Sequence, residues 1–147
     1  MPAVEIKRSF ESVPAGHVWA VLREFQHYPE FAEHVISVEI VKEERDHKES
    51  NWVVLFNGNE LRWSERDYVD DDNRTISFEQ IEGDISVWRG TLNVAQEPQC
   101  TAIYNVEFDL GVPALAELLN PLAIRAVKLN CEQILAAVAK QLTVVPS

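Results

Sequence analysis

The sequence predicts an α+β fold: a curved antiparallel sheet of six to seven strands wrapped around a long C-terminal helix, with two short helices after the first strand. Three observations carry this. A first alternating segment is followed by apolar residues at helical spacing. From Ile36 onward, alternating segments recur at regular intervals between polar turns, the mark of an antiparallel meander. After Gly111-Val112-Pro113 the pattern turns helical and stays so to about Leu142.

Each element follows in order. VEIKRSF, Val4 to Phe10, sets Val4, Ile6 and Phe10 against Glu5, Lys7 and Ser9, as a half-buried strand does. In ESVPAGHVWAVLREFQHYPEF, Ser12 or Pro14 can start a helix, and Val18, Trp19, Val21, Leu22 and Phe25 recur at helical spacing. Tyr28-Pro29 is expected to end it, because proline disfavours helical geometry in the residue before it. PEFAEHV reads as a second short helix, and the pair would close one end of a sheet as an L. ISVEIV alternates, KEERDHKES reads as a charged turn, and NWVVLF is apolar on both faces. Asn57-Gly58 signals a tight turn, since both residues tolerate positive φ. ELRWSERDYV returns as a strand before the polar turn DDDNR. TISFEQI and ISVWRGTLNV form a hairpin about Glu82-Gly83-Asp84, AQEPQC is a turn, and TAIYNVEFDL is the last strand. The helical stretch starts at Pro113 or Ala114. Pro121 should interrupt it, leaving a short helix and then a long one from about Leu122. Leu122, Ala126, Leu129, Ile134, Ala137 and Val138 would form its apolar face, opposite Arg125, Lys128 and Glu132. The tail TVVPS is expected to fray.

The 147 residues suit a single domain, 1–147, and a hydrophobic content of 46% is that of a soluble globular chain. No run of about 18 apolar residues is present to span a membrane. The opening MPAVEIKRSF lacks the layout of a secretory signal. Cys100 and Cys131 stand apart with no CxxC, which predicts free thiols in a cytoplasmic protein. A net charge of −11 argues against nucleic acid and against anionic membrane surfaces. It leaves a small-molecule pocket open, because a local field need not follow net charge. An acidic surface with an exposed edge strand permits a homodimer without requiring one.

His17, His27, His34 and His47 are isolated, with no HxH or HExxH spacing, so no metal is expected. His34 alone is a candidate for a pocket mouth. GxSxG, P-loop and GxGxxG patterns are missing, and no cofactor is expected. Cys131 reads as a buried structural cysteine, since no base or orienting group accompanies it.

Strand alternation sorts the remaining candidates. Leu61, Trp63, Glu65 and Asp67 share one face of their strand, and Arg62, Ser64, Arg66 and Tyr68 the other. Tyr104, Val106 and Phe108 align, as do Ile76, Phe78 and Gln80, and Ser86, Trp88, Gly90 and Leu92. The faces with Trp63, Phe78, Trp88 and Tyr104 are assigned to the concave side. Together with Trp19, Trp52 and Phe108, these aromatics either fill a core or wall an apolar ligand site. Gly90, inside a strand, marks a bend or a close approach of backbone or ligand. Glu65 and Asp67 are the sharpest feature. Facing an apolar cavity, at least one would gain a raised pKa and become a general acid or base. At a wet strand end they would be hydrated or paired with Arg89. Asn130 and Gln133 would either project under the helix toward a ligand carbonyl or lie on a solvated edge.

Four stretches carry a family resemblance: YPEF at Tyr28–Phe31, RWSERDYVDDDNRTISF, EGDISVWRGTLNV and VEFDLGVP. Their order resembles the START-like (Bet v 1-like) superfamily, and within it the polyketide cyclase/dehydrase group and the coenzyme Q-binding proteins. The resemblance covers nearly the whole chain. It implies a helix-grip fold that binds hydrophobic molecules such as lipids, isoprenoid quinones or nascent polyketides. Some members cyclise and aromatise polyketides. In those, an arginine is expected about where Asp67 stands and a serine near Glu65, whereas here Arg66 is next door on the other face.

Three functions are therefore carried forward. The first is a binding module for a hydrophobic small molecule, held by Trp63, Phe78, Trp88, Gly90, Tyr104, Val106, Phe108 and Asn130 between sheet and helix, with the second helix and the loop after Gly111 as its mouth. The second is a cyclase, aromatase or dehydratase with Glu65 or Asp67 as acid or base and Tyr104 or Arg89 orienting the substrate. The third is an assembly protein with a filled core and no ligand.

Overall fold

The computed structural model describes residues 2–56, 58–109 and 116–144, and of 116–120, 122, 143 and 144 the backbone only. Seven strands form one sheet: β1 (Ala3–Ser9), β2 (Val35–Glu43), β3 (Lys48–Phe56), β4 (Asn59–Asp70), β5 (Thr75–Gly83), β6 (Val87–Ala95) and β7 (Thr101–Asp109). Their spatial order is β1-β7-β6-β5-β4-β3-β2, every neighbour antiparallel. From β2 to β7 this is the expected meander. Only β1 crosses over, joining β7 at the far edge.

Among the described residues, two α-helices accompany the sheet: α1 (Ala15–Leu22) and α2 (Ala116–Val144). α2 lies closest to α1, to β1 and to β3, so it is held toward opposite margins of a curved sheet. That is the helix-grip, α+β architecture. The centre of the sheet faces the helix with side chains rather than backbone.

Several boundaries differ from the expectation. α1 ends at Leu22, not at Tyr28, because Glu24 leaves helical geometry at φ −93° and ψ 60°. A 3-10 helix, Phe25–Glu30, follows and contains Pro29. This tighter coil buries both Phe25 and Tyr28, and the Tyr28 hydroxyl donates to the Leu22 carbonyl at 2.7 Å. PEFAEHV is thus the end of that 3-10 helix and a turn, not a second α-helix. α1 is pinned to the sheet by Trp19 Nε1 and Arg23 Nε, which both donate to Asp71 in the β4–β5 turn at 2.9 and 2.8 Å.

β3 begins at Lys48, so the last three residues of the supposed charged turn are strand. β5 parts from β6 beyond Glu79 and stays on β4 as far as Gly83. Ile85, in the turn between them, is buried. Gly58 has the positive φ, 81°, expected of its tight turn, while Asn57 lies outside the described residues. The Gly111 loop, the helix start at Pro113 or Ala114, and residues 145–147 of the tail also lie outside them.

Pro121 does not divide the helix. It sits inside α2, near the N-terminal end, where the N–H it lacks removes a single bond. The buried face also differs. Ala123, Val127, Asn130, Cys131, Ile134, Leu135 and Val138 point inward, while Leu129 is 47% exposed. Gln133 is exposed too, on the solvated edge.

Candidate functional site

The concave face is a continuous run of aromatic rings. Trp52 and Trp63 are register partners on β3 and β4, stacked 5.9 Å apart at 6°. Trp63 meets Trp88 at 5.3 Å, Trp88 meets Phe78 at 6.3 Å, and Phe78 meets Tyr104 edge-on at 5.9 Å. Phe56 bridges Trp63 and Trp88, and Phe25 and Tyr28 extend the run past Trp52. Val106 and Phe108 lie beside them, buried on the same face of β7. The four rings assigned to the concave side from the sequence are therefore in one place. Trp19 stands apart from them, its indole bonded to Asp71. The centroid spacings are those of packed aromatic pairs.

Gly90 has a specific reason to be glycine. A Cβ there would stand 1.9 Å from the Asn105 carbonyl oxygen and 3.0 Å from the Phe78 ring. The close approach is of the β7 backbone, and the Phe78 side chain leans over the space left.

Beneath the rings lies the carboxyl pair. Glu65 and Asp67 are 3% and 1% exposed, so the strand end that holds them is interior, not wet. Arg89 is no partner of theirs: it lies on the convex side with Glu107 at 3.3 Å. Arg66 is likewise exposed. The chain's own donors are placed differently. Trp63 Nε1 donates to Glu65 Oε1 at 2.7 Å. Trp52 Nε1 donates to Ser50 Oγ at 2.9 Å, and Ser50 Oγ donates to Asp67 Oδ2 at 2.5 Å. Asp67 Oδ1 is buried and meets no N–H or hydroxyl among the described residues.

Glu65 and Asp67 project from the same buried face of β4, two residues apart. Burial pushes Glu65 well above the usual carboxylate range, and the neighbouring Asp67 charge pushes it further. Burial also raises Asp67, opposed by its interaction with Glu65, by the Ser50 hydroxyl and by the Lys48 ammonium. Burial and mutual repulsion disfavour ionising both, the condition under which a carboxyl pair does acid–base chemistry. The phenols of Tyr28 and Tyr104 are raised by burial and stay neutral donors. The Cys131 thiol is pushed up to about 12 by burial, so it is no nucleophile at neutral pH.

Asn130 is buried, but its amide is engaged: Nδ2 donates to the Leu55 carbonyl at 3.3 Å. It fastens α2 to β3. His34 lines an open cleft of about 440 Å³ with Phe31, Leu55 and Ala137. Its Nε2 is buried without a partner among the described residues, and burial lowers its pKa. Ser50 escaped the sequence reading because it sits in KEERDHKES, whose charges mask the alternation of Lys48, Ser50, Trp52, Val54 and Phe56 on one face.

The family model for polyketide cyclase / dehydrase and lipid transport matches residues 12–134. The chain belongs to that family. No curated protein sequence matches it. Among solved structures, the protein TTHA0849 from Thermus thermophilus is 24% identical, with a TM-score of 0.90 over 99% of this chain and 100% of that one. The Zhui aromatase/cyclase from Streptomyces sp. R1128 is 20% identical, with a TM-score of 0.81 over 95% and 92%. Major latex-like protein 151 from Panax ginseng is 11% identical, with a TM-score of 0.75 over 95% and 96%. At these identities the likeness is one of fold. It establishes the START-like, Bet v 1-like architecture for this polyketide cyclase/dehydrase family member.

Proposed function

We propose that this protein binds a hydrophobic, ring-containing small molecule of lipid, isoprenoid or polyketide type between its sheet and α2. The Trp63, Trp88, Phe78 and Tyr104 rings would supply the apolar surface, with Gly90, Val106 and Phe108 beside them and Asn130 holding the helix above. The observation that carries this is the Glu65–Asp67 pair. A purely structural core gains nothing from two buried carboxyls, whose desolvation costs several kcal/mol. A polar pair at the base of an aromatic face is what orients a bound apolar molecule. The family's description and its aromatase/cyclase neighbour support the same reading.

The same pair favours a second reading, a dehydrating or aromatising enzyme. Asp67 carboxylate would remove a proton from the carbon beside a substrate carbonyl. Glu65 would protonate the departing hydroxyl one carbon further on. A C–H and a C–O bond break, a C=C bond forms and water leaves. The proton gained by Asp67 then passes back to Glu65, restoring both groups.

Native mass spectrometry of the purified protein, with organic extraction of whatever co-purifies, tests the binding reading. A stoichiometric apolar molecule is expected. A protein that carries none, and fails to bind fatty alcohols, quinones and aromatic polyketides, would sink it and favour the filled-core assembly protein. The enzyme reading requires in addition that Glu65→Gln and Asp67→Asn keep binding and lose turnover.

A further inference from the structure

We infer that Ser50 and Lys48, neighbours on the concave face of β3, decide which carboxyl of the pair carries the proton: Asp67 is held as the carboxylate and Glu65 as the acid. This deepens the acid–base reading of the site, but its test does not depend on any ligand or turnover.

The donors around the pair set this order. An indole N–H can only donate. Trp52 Nε1 therefore takes a lone pair of Ser50 Oγ, and the hydroxyl hydrogen of Ser50 is directed to Asp67 Oδ2. Ser50 is fully buried, so bulk solvent does not compete for that hydrogen. Lys48 stands directly opposite Asp67 in the β3–β4 register. Its side chain is 17% exposed, its ammonium lies 5.9 Å from the Phe25 ring centre, and it pairs with Glu43 at 3.5 Å. On β3 and β4 it is the cation of the concave face. Glu65 receives one neutral indole N–H, from Trp63. Asp67 receives a hydroxyl and stands in register with a cation.

The other groups around the pair do not reverse this order. Tyr28 from the 3-10 helix and Tyr104 from β7 are neutral phenols. Cys131 from α2 is a neutral thiol. From β5, Phe78 is the register partner of Asp67 and Gln80 that of Glu65, and neither ionises. Glu24, Arg23 and Asp71 gather on the far side of Lys48, at the end of α1 and the β4–β5 turn. Ser50 and Lys48 are thus positioning residues; they act on the reacting groups through Asp67.

The test is carboxyl infrared difference spectroscopy across a pH titration of the full chain. The wild type should show a protonated-carboxyl band at neutral pH that Glu65→Gln removes and Asp67→Asn retains. In Ser50→Ala a second protonated carboxyl should appear, its midpoint shifted upward from that of Asp67 in the wild type. Ser50→Thr, which keeps the hydroxyl, should restore the wild-type midpoint. Lys48→Met should shift the midpoint in the same direction as Ser50→Ala, and it carries the test if the alanine variant does not fold. Titration of either variant like the wild type overturns the inference, as does a neutral-pH band that vanishes in Asp67→Asn and persists in Glu65→Gln. An absent ligand would sink the proposed function while leaving this outcome intact.

Discussion

Ser50 lies directly across the sheet from Glu65, yet it gives its hydrogen to Asp67, one pleat further along β4. The diagonal is imposed by Trp52, whose N–H occupies the other side of the same oxygen. Two indoles and one hydroxyl thereby give two chemically similar carboxyls different surroundings.

That difference predicts how stability depends on pH. Both carboxyls have folded-state pKa values above their ordinary ones, 4.5 for Glu65 and 3.8 for Asp67. The folded chain therefore holds more protons than the unfolded chain above those values. Their contribution is fully present below the ordinary pKa values and is lost as pH rises through the raised ones. Urea melts of the wild type should show this part of stability falling as pH rises above the ordinary carboxylate range. Glu65→Gln copies the protonated acid, with a carbonyl to accept from Trp63. It should be more stable than the wild type at the alkaline end and converge with it toward acid pH. A wild-type excess at alkaline pH would refute the buried-acid assignment.

Under the proposed function, an ionised Asp67 beside the aromatic rings sets a charge rule for ligands. A neutral fatty alcohol or hydroxyaromatic should bind at least about tenfold more tightly at pH 8 than the carboxylic acid of the same skeleton, a difference of about 1.4 kcal/mol. The gap should narrow as pH falls and the free acid protonates. Calorimetric titration of matched pairs measures this. Equal affinities at pH 8 would place the ligand away from Asp67.

Two glycines should respond oppositely to alanine. At Gly90 the new Cβ meets the Asn105 carbonyl oxygen at 1.9 Å, so strands must shift, and the loss should be about 3 kcal/mol. At Gly16, inside α1, the nearest atom is the Arg74 Nη2 tip at 3.9 Å. There alanine should stabilise by about 0.5–1 kcal/mol through helix propensity. Denaturant midpoints of both variants decide it.

The inward face of α2 can be checked in the same way. Leu129→Lys should change stability by less than about 0.5 kcal/mol, because Leu129 is 47% exposed. Leu135→Ala, at a fully buried position, should cost about 2–5 kcal/mol.

Much of this site was legible in the order of residues. Period-two alternation placed Trp63, Glu65 and Asp67 together on one face, and the same rule gathered Phe78, Trp88 and Tyr104. Whether that face was wet could not be read locally, because burial of Glu65 depends on α2 and the α1 end closing over it. Leu129 misled for a related reason: two apolar stripes on one helix look alike until the sheet selects one, and it selected the stripe containing Asn130 and Cys131. Charged neighbours hid Ser50 and Lys48, since strand polarity patterns fail where a buried face itself carries polar groups. Gly90 could be recognised as a close approach, but not that the approaching group was the backbone at Asn105.

The parallel stack of Trp52 and Trp63, 6° apart in plane and 5.9 Å between centres, has an optical consequence. Two chromophores so close and so nearly parallel share their excitation, and the chiral frame that holds them gives the shared transition a signed dichroic band in the near ultraviolet. The N–H of one indole ends on Ser50 and that of the other on Glu65. Any guest that shifts either residue changes the overlap of the two rings. The native chain thus carries an unlabelled optical test of the proposed occupancy, readable before any guest has been identified.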